Sequence, residues 1–286
     1  MTPPLQGPAG TETCPPAWLA LREPADADAR SPELAAVLAG SLVASPGAVL
    51  VRDLGCGTGS MARWLAPKLN PPGGQHWVLH DRDARLLEHA VATLPARVTG
   101  EADAGDLTRL DAAALAGTAL VVASALLDLL TAGEADDLAG ACVAAGCPAL
   151  LTLSVTGRVQ LDPVDPLDAE LAAAFNAHQR RRVGARRLLG PDAIDAAVTA
   201  FRRRGALVRT AAAPWRLGPD RAELVREWLA GRLDAACAQR PELAEHAGAY
   251  RDRRRRELAR GRLTVTVEHT DLLAVPDGAA VAQDRP

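Results

Sequence analysis

Short apolar runs closed by acids or glycines alternate along the chain with stretches whose apolar positions repeat at helical spacing. The first run, Ala48 to Val51, is continuous, as a strand covered on both faces would be. It ends at Asp53, passes through Gly55, Gly57 and Gly59, and enters a helical stretch at Met61-Ala62-Arg63-Trp64-Leu65-Ala66. His76–Asp81 is a second strand closed by an acid, followed by a helix over Ala84–Leu94, with Asp83 placed to cap it. Residues 96–100 form a weak third strand and 118–124 a strongly apolar fourth. A helix over 134–145 leads to a fifth strand at 148–155. Helices are expected from Leu167 to about Arg182 and from Gly190-Pro191-Asp192 to about Arg204, then a sixth strand at 206–210. Residues 218–261 carry a helical stripe of Leu224, Val225, Trp228, Leu229 and Leu233, and Pro241 divides them into two helices. Residues 262–269 alternate like a strand, the seventh.

Strands alternating with helices predict an α/β fold around a doubly wound, largely parallel sheet. Residues 1–16, rich in Pro, Gly and Thr, read as a disordered segment. Residues 17–46 form a helical cap: a short helix at Trp18–Arg22 stopped by Pro24, then a helix opened by Ser31-Pro32-Glu33 and reaching about Ala44. Residues 47–276 form the α/β domain, with 218–261 inserted as a lid, and 277–286 a flexible tail.

Charge narrows the field. The net charge of −3 gives no general pull toward nucleic acid or an anionic membrane. The arginine run at 251, 253–256 and 260 is interleaved with Asp252 and Glu257, and reads as a solvated helix face or, second, as a surface for an acidic small substrate. Five scattered cysteines without a C-x-x-C pair fit a reducing cytoplasm, free thiols and no zinc site. No signal-peptide pattern or membrane-length apolar run is present, so a cytoplasmic protein is expected.

The pattern Asp53-x-Gly55-x-Gly57-x-Gly59, set between a strand and a helix, lets backbone approach a ligand closely. Its spacing differs from the Gly-x-Gly-x-x-Gly of dinucleotide sites, which disfavours a nicotinamide-linked oxidoreductase. Here the chain resembles the class I S-adenosylmethionine (SAM)-dependent methyltransferases. The resemblance implies a Rossmann-like sheet of seven strands, with the seventh antiparallel and inserted beside the sixth, and SAM as cofactor. It places Gly55, Cys56, Gly57 and Gly59 against the methionine part of SAM and Asp53 near its amino group. Asp81, beside Arg82, would accept from the ribose hydroxyls, and Asp106 with Leu107 would meet the adenine, Asp103 being the alternative. The exit of the fourth strand, Ser124 to Asp128, faces the ligand crevice, and Ser124 is assigned to the cofactor. The departure from the family is the helical pair at 218–261, where a short hairpin is the norm.

Methyl transfer needs a positioned acceptor and, for some acceptors, a base. His178, beside Asn176 and Gln179, is the candidate base, with a helix-surface histidine as the alternative. Trp18, Arg22, Asp128, Asn176 and Tyr250 are the candidate substrate residues; Asp26 and Arg30 on the cap deserve watching without an assigned role. His269 reads as a packed histidine, and His80 as a neighbour of the cofactor. The Asn/Asp-Pro-Pro-Tyr signature and the Pro-Cys nucleophile of two nucleic-acid-modifying subclasses are absent after the fourth strand, and the carboxylate pair of metal-dependent enzymes is absent after the fifth. The expectation is therefore a metal-free enzyme, monomer or homodimer, that methylates an oxygen or nitrogen of a small molecule. RNA or protein methylation, and a SAM-binding protein without turnover, are the alternatives.

Overall fold

The computed structural model describes residues 14–42, 47–105 and 111–279. Asp106 and Leu107, the first 13 residues and the end of the tail lie outside them.

Five strands run parallel: β1 (Val49–Leu54), β2 (Gln75–Asp81), β3 (Val98–Ala104), β4 (Leu120–Ser124) and β5 (Ala149–Asp162). After the two-residue pair β6 (Arg182–Val183) and β7 (Arg186–Arg187) come β8 (Leu207–Ala212), β9 (Trp215–Leu217) and β10 (Thr264–Val275). The sheet order is β3-β2-β1-β4-β5-β10-β8, with β10 antiparallel to both neighbours and β9 paired to its first half. This is the doubly wound order, with an inserted antiparallel last strand, expected from the sequence.

Helices α1 (Pro16–Ala29) and α2 (Pro32–Leu42) precede the sheet; α3 (Ser60–Leu69), α4 (Ala84–Ala92), α5 (Ala132–Ala144), α6 (Asp168–Gln179) and α7 (Ala193–Arg203) follow its strands. Side chains alternate across each strand. In β4, Val121 and Ala123 pack toward α5 and α7, while Leu120 and Val122 pack toward α2, α3 and α4. The insertion is α8 (Ala222–Gln239) and α9 (Ala244–Ala259), split at Pro241 as the sequence predicts. It adds two satellite cores. In one, Trp228, Leu224 and Val225 of α8 meet Trp18 of α1 and Trp215 of β9. In the other, Leu233 and Ala236 of α8 and Tyr250 of α9 meet Leu171, Ala174 and Phe175 of α6.

Four expectations need correction. Helix α1 does not stop at Pro24 but runs through it to Ala29. Proline forfeits one helical hydrogen bond yet holds a helical φ. The far side of the helix is anchored by Asp26, which takes an ion pair from Arg22 at 2.9 Å and the indole N–H of Trp215 at 3.0 Å. The fifth strand continues seven residues past Val155, because its outer half is paired by the first half of β10. The seventh continues past His269 to Val275; Asp271 breaks its apolar pattern but is buried and hydrogen-bonded there. Strand β9 and the β6–β7 pair add to the expected strands, being too short to leave a periodic signal.

Candidate functional site

The glycine turn closes the end of β1. Its three glycines hold φ of 65°, 55° and 84°, the left-handed region where a Cβ is strained. The space above the turn is narrow as well. A Cβ on Gly57 would stand 3.2 Å from Cδ1 of Leu19 on α1, and one on Gly55 would stand 3.1 Å from Cδ1 of Leu126, just beyond β4. The turn is tied to β2: Cys56 N–H donates to His80 O at 3.0 Å, and Gly57 N–H donates to Asp81 Oδ2 at 2.9 Å. Asp81 Oδ1 accepts from Asp83 N–H at 3.1 Å, and Asp83 caps α4 as expected. Each Asp81 oxygen keeps a second lone-pair direction for a ligand hydroxyl. Arg82 is exposed beside it, and the Cys56 thiol is buried, which pushes its pKa far up.

Beneath the turn stand two buried, opposite charges. Asp53 is 0% exposed, and neither carboxylate oxygen has a hydrogen-bond partner. Burial pushes its pKa up to about 7 despite the pull of Arg30. Arg30, between α1 and α2, donates through Nη2 to Ser60 Oγ and to Ser124 Oγ, each at 3.0 Å, and lies 5.6 Å over the Trp64 ring. Its Nε and Nη1 are buried without partners. Buried polar groups are nearly always satisfied, so an anion and a cation left open side by side mark a place for a ligand carrying both charges. The sequence places Asp53, Ser124 and the strand exit that carries Leu126 here; it marks Arg30 without a role, and assigns none to Ser60 or Leu19. No periodic signal could find them, because only tertiary packing brings α1 over the turn.

The other half of the crevice lies beyond β4 and β5. Ala125 holds a left-handed φ of 52°, fixed by its N–H donating to Thr152 O at 2.9 Å, and this turn aims Leu126 at the glycines. Asp128 is buried, which pushes its pKa up to about 6, with the charges of Arg22 and Arg181 opposing the rise. Arg22, ion-paired to Asp26, lies 5.1 Å over Trp215. Asn176 donates to Gly157 O at 2.8 Å, leaving a buried Oδ1 unpartnered. His178 is half-buried; burial and then Arg181 hold its pKa below the ordinary value, and Nδ1 has no partner. Trp18 is a core residue of the α1–α8 cluster. Tyr250 lies in the α6–α8–α9 core, with its hydroxyl donating to Asp168 at 2.8 Å, and no contact joins it to the glycine turn. His269 is packed edge-on to Trp215, and burial pushes its pKa down to about 3.

Three of the six arginines of the run are paired within the chain, and Arg255, Arg256 and Arg260 are exposed. Arg253 meets Asp165 at 2.6 Å, Arg254 meets Glu257 at 2.8 Å and also Asp168, and Arg251 reaches Asp234 at 3.4 Å. Among the described residues no helix is long and apolar enough to cross a membrane.

No protein-family model matches the chain, and no curated protein sequence does. Solved structures that resemble it include a cyclopropane synthase of Mycobacterium tuberculosis, at 12% identity over 84% of this chain and 82% of that one, with a TM-score of 0.45. A mycolic acid cyclopropane synthase complexed with S-adenosylhomocysteine (SAH) is similar at 16% identity, 83% and 82% coverage and a TM-score of 0.45. A SAM-dependent methyltransferase of Thiobacillus denitrificans in complex with SAH is similar at 16% identity, 92% and 100% coverage and a TM-score of 0.42.

Proposed function

We propose that the chain is a SAM-dependent methyltransferase acting on an oxygen or nitrogen of a small molecule. The observation that carries the reading is the open pair Asp53 and Arg30 beside the glycine turn. An α-amino acid group is the zwitterion that would fill both positions, and the residues present fit SAM. Asp53 would hold the ammonium, Arg30 the carboxylate, and Asp81 the ribose hydroxyls. When bound, SAM supplies an electrophilic methyl group on a sulfonium.

The chain's own residues then have two tasks. Leu19 and Leu126 close over the turn and exclude water, which preserves a fixed approach for the acceptor. A hydroxyl or ammonium acceptor must also lose a proton. His178 is suited to take it, because its lowered pKa keeps the imidazole neutral at pH 7 and able to accept. His178→Ala is expected to lower turnover roughly 100-fold or more while SAM affinity is unchanged. SAH release at saturating SAM measures this, and wild-type turnover in the variant removes the assignment.

The pH dependence of SAM binding tests the cofactor site directly. The Asp53 carboxyl of the ligand-free fold holds its proton up to about pH 7, whereas in the unfolded chain it loses it near 3.8. The folded state therefore binds the extra proton between these values, and Asp53 costs stability as pH rises through that window. A cationic ammonium needs the ionised form. SAM affinity measured by calorimetry is thus expected to fall by about tenfold per pH unit below 7 and to level off above it. Asp53→Asn should bind weakly and lose this slope. A slope that survives the substitution would place the ammonium elsewhere.

A further inference from the structure

Arg232 on α8 is a buried cation without an anion. It is 7% exposed, and its Cζ lies 4.6 Å from the ring centroid of Phe175 on α6 and 5.3 Å from that of Trp228, one turn back on its own helix. Among the described residues it has no hydrogen bond or ion pair. Two aromatic faces attract a guanidinium but give its N–H donors no protein acceptor.

The other buried arginines among the described residues are bonded. Arg254 has Asp168, Glu257 and Pro163 O; Arg30 has Ser60 and Ser124. The acid whose charge Arg232 feels, Asp168, is already committed: it accepts from Arg254, from the Tyr250 hydroxyl at 2.8 Å and from Asp165 N–H at 2.8 Å. Burial, only partly offset by Tyr250 and Asp168, pushes the pKa of Arg232 down to about 10. A buried guanidinium flanked by two rings and lacking an ion pair suits a planar or tetrahedral oxyanion.

Its place in the fold points to the acceptor half of the crevice. Phe175 is one helical turn from His178 on α6. Trp228 packs in one cluster with Trp18 of α1, and the next residue of α1, Leu19, covers Gly57. Arg232 thus sits in the wall formed where α6, α8 and α1 converge, and it belongs to the insertion that departs from the family norm.

We propose that Arg232 anchors a carboxylate or phosphate group of the methyl acceptor, so that the substrate is an anionic small molecule. This rests on the methyltransferase reading of the crevice. The test uses the whole protein with SAH bound, titrated calorimetrically and by thermal shift with benzoate and phenyl phosphate as anionic probes and benzyl alcohol as the neutral one. Either anion should bind and raise Tm, and the alcohol should not. Which anion binds more tightly separates a carboxylate from a phosphate substrate.

Arg232→Met removes the fork but keeps an apolar stem between the two rings. It should bind SAH with an unchanged Kd and lose anion affinity roughly 10- to 100-fold. If that variant does not fold, Arg232→Gln carries the same comparison. Equal anion binding by wild type and variant, binding of the alcohol as tight as that of the anions, or no anion response from the SAH-bound wild type each overturns the proposal. Failure of the wild type to bind SAH instead overturns the cofactor reading, and this one with it.

Discussion

Gly57→Val is expected to eliminate measurable SAM binding while the chain still folds. Two costs act together. At φ 55° a β-branched residue is strained by roughly 1–2 kcal/mol, which lowers stability but not below the threshold of a domain of this size. The larger effect is local. Gly57 N–H holds Asp81, and its Cα side faces Leu19 at a distance that leaves no room for a branched side chain and a ligand together. Affinity should fall by more than roughly 100-fold, about 2.7 kcal/mol. Leu19→Ala separates the two costs. Added to Gly57→Ala it relieves the 3.2 Å contact, so binding should partly recover if space is the cause and stay lost if backbone conformation is. Wild-type calorimetry for Gly57→Val would remove the turn from the cofactor site.

The parts of this site that are legible in the sequence are those made by adjacent residues. Strand, acid, glycines and helix follow one another without a break, so local order alone places Asp53 and the turn, and Asp81 follows from strand alternation. The sheet order follows from the order of elements for the same reason. What stays hidden depends on contacts between distant segments. Arg30 gains its meaning only when α1 and α2 fold over Ser60 and Ser124, residues 30 and 94 positions away. Arg232 looks like any surface charge on an amphipathic helix until Phe175 closes on it. At Pro24 a sound local rule fails, since tertiary anchoring of Asp26 outweighs one missing hydrogen bond. The half of the crevice proposed for the acceptor is therefore the half that the sequence describes least, because it is assembled from α1, α6 and α8 rather than from one motif.

The second large effect is expected at Asp271, far from any cofactor motif. Asp271 is 0% exposed, and its two oxygens accept from Ser31 N–H and Leu153 N–H, each at 2.8 Å. The two donors belong to different layers: Ser31 stands at the start of α2, and Leu153 is a residue of β5 held at a left-handed φ of 56°. One carboxylate thus fixes the cap to the sheet and compensates a strained strand residue. Burial raises its pKa, while these two hydrogen bonds and Arg30 work against the rise. Asp271→Ala would leave two buried N–H groups unsatisfied at about 1–3 kcal/mol each, so a loss of about 3–5 kcal/mol in urea denaturation is expected. Asp271→Asn keeps one acceptor and should lose about half as much. The residue just before Ser31 is Arg30, so loosening this anchor also frees the guanidinium from its place beside Asp53. Asp271→Asn should therefore weaken SAM binding although Asp271 itself would not touch SAM. Full stability in Asp271→Ala would show that the cap is held by its apolar face alone, and unchanged SAM affinity in Asp271→Asn would uncouple the anchor from Arg30.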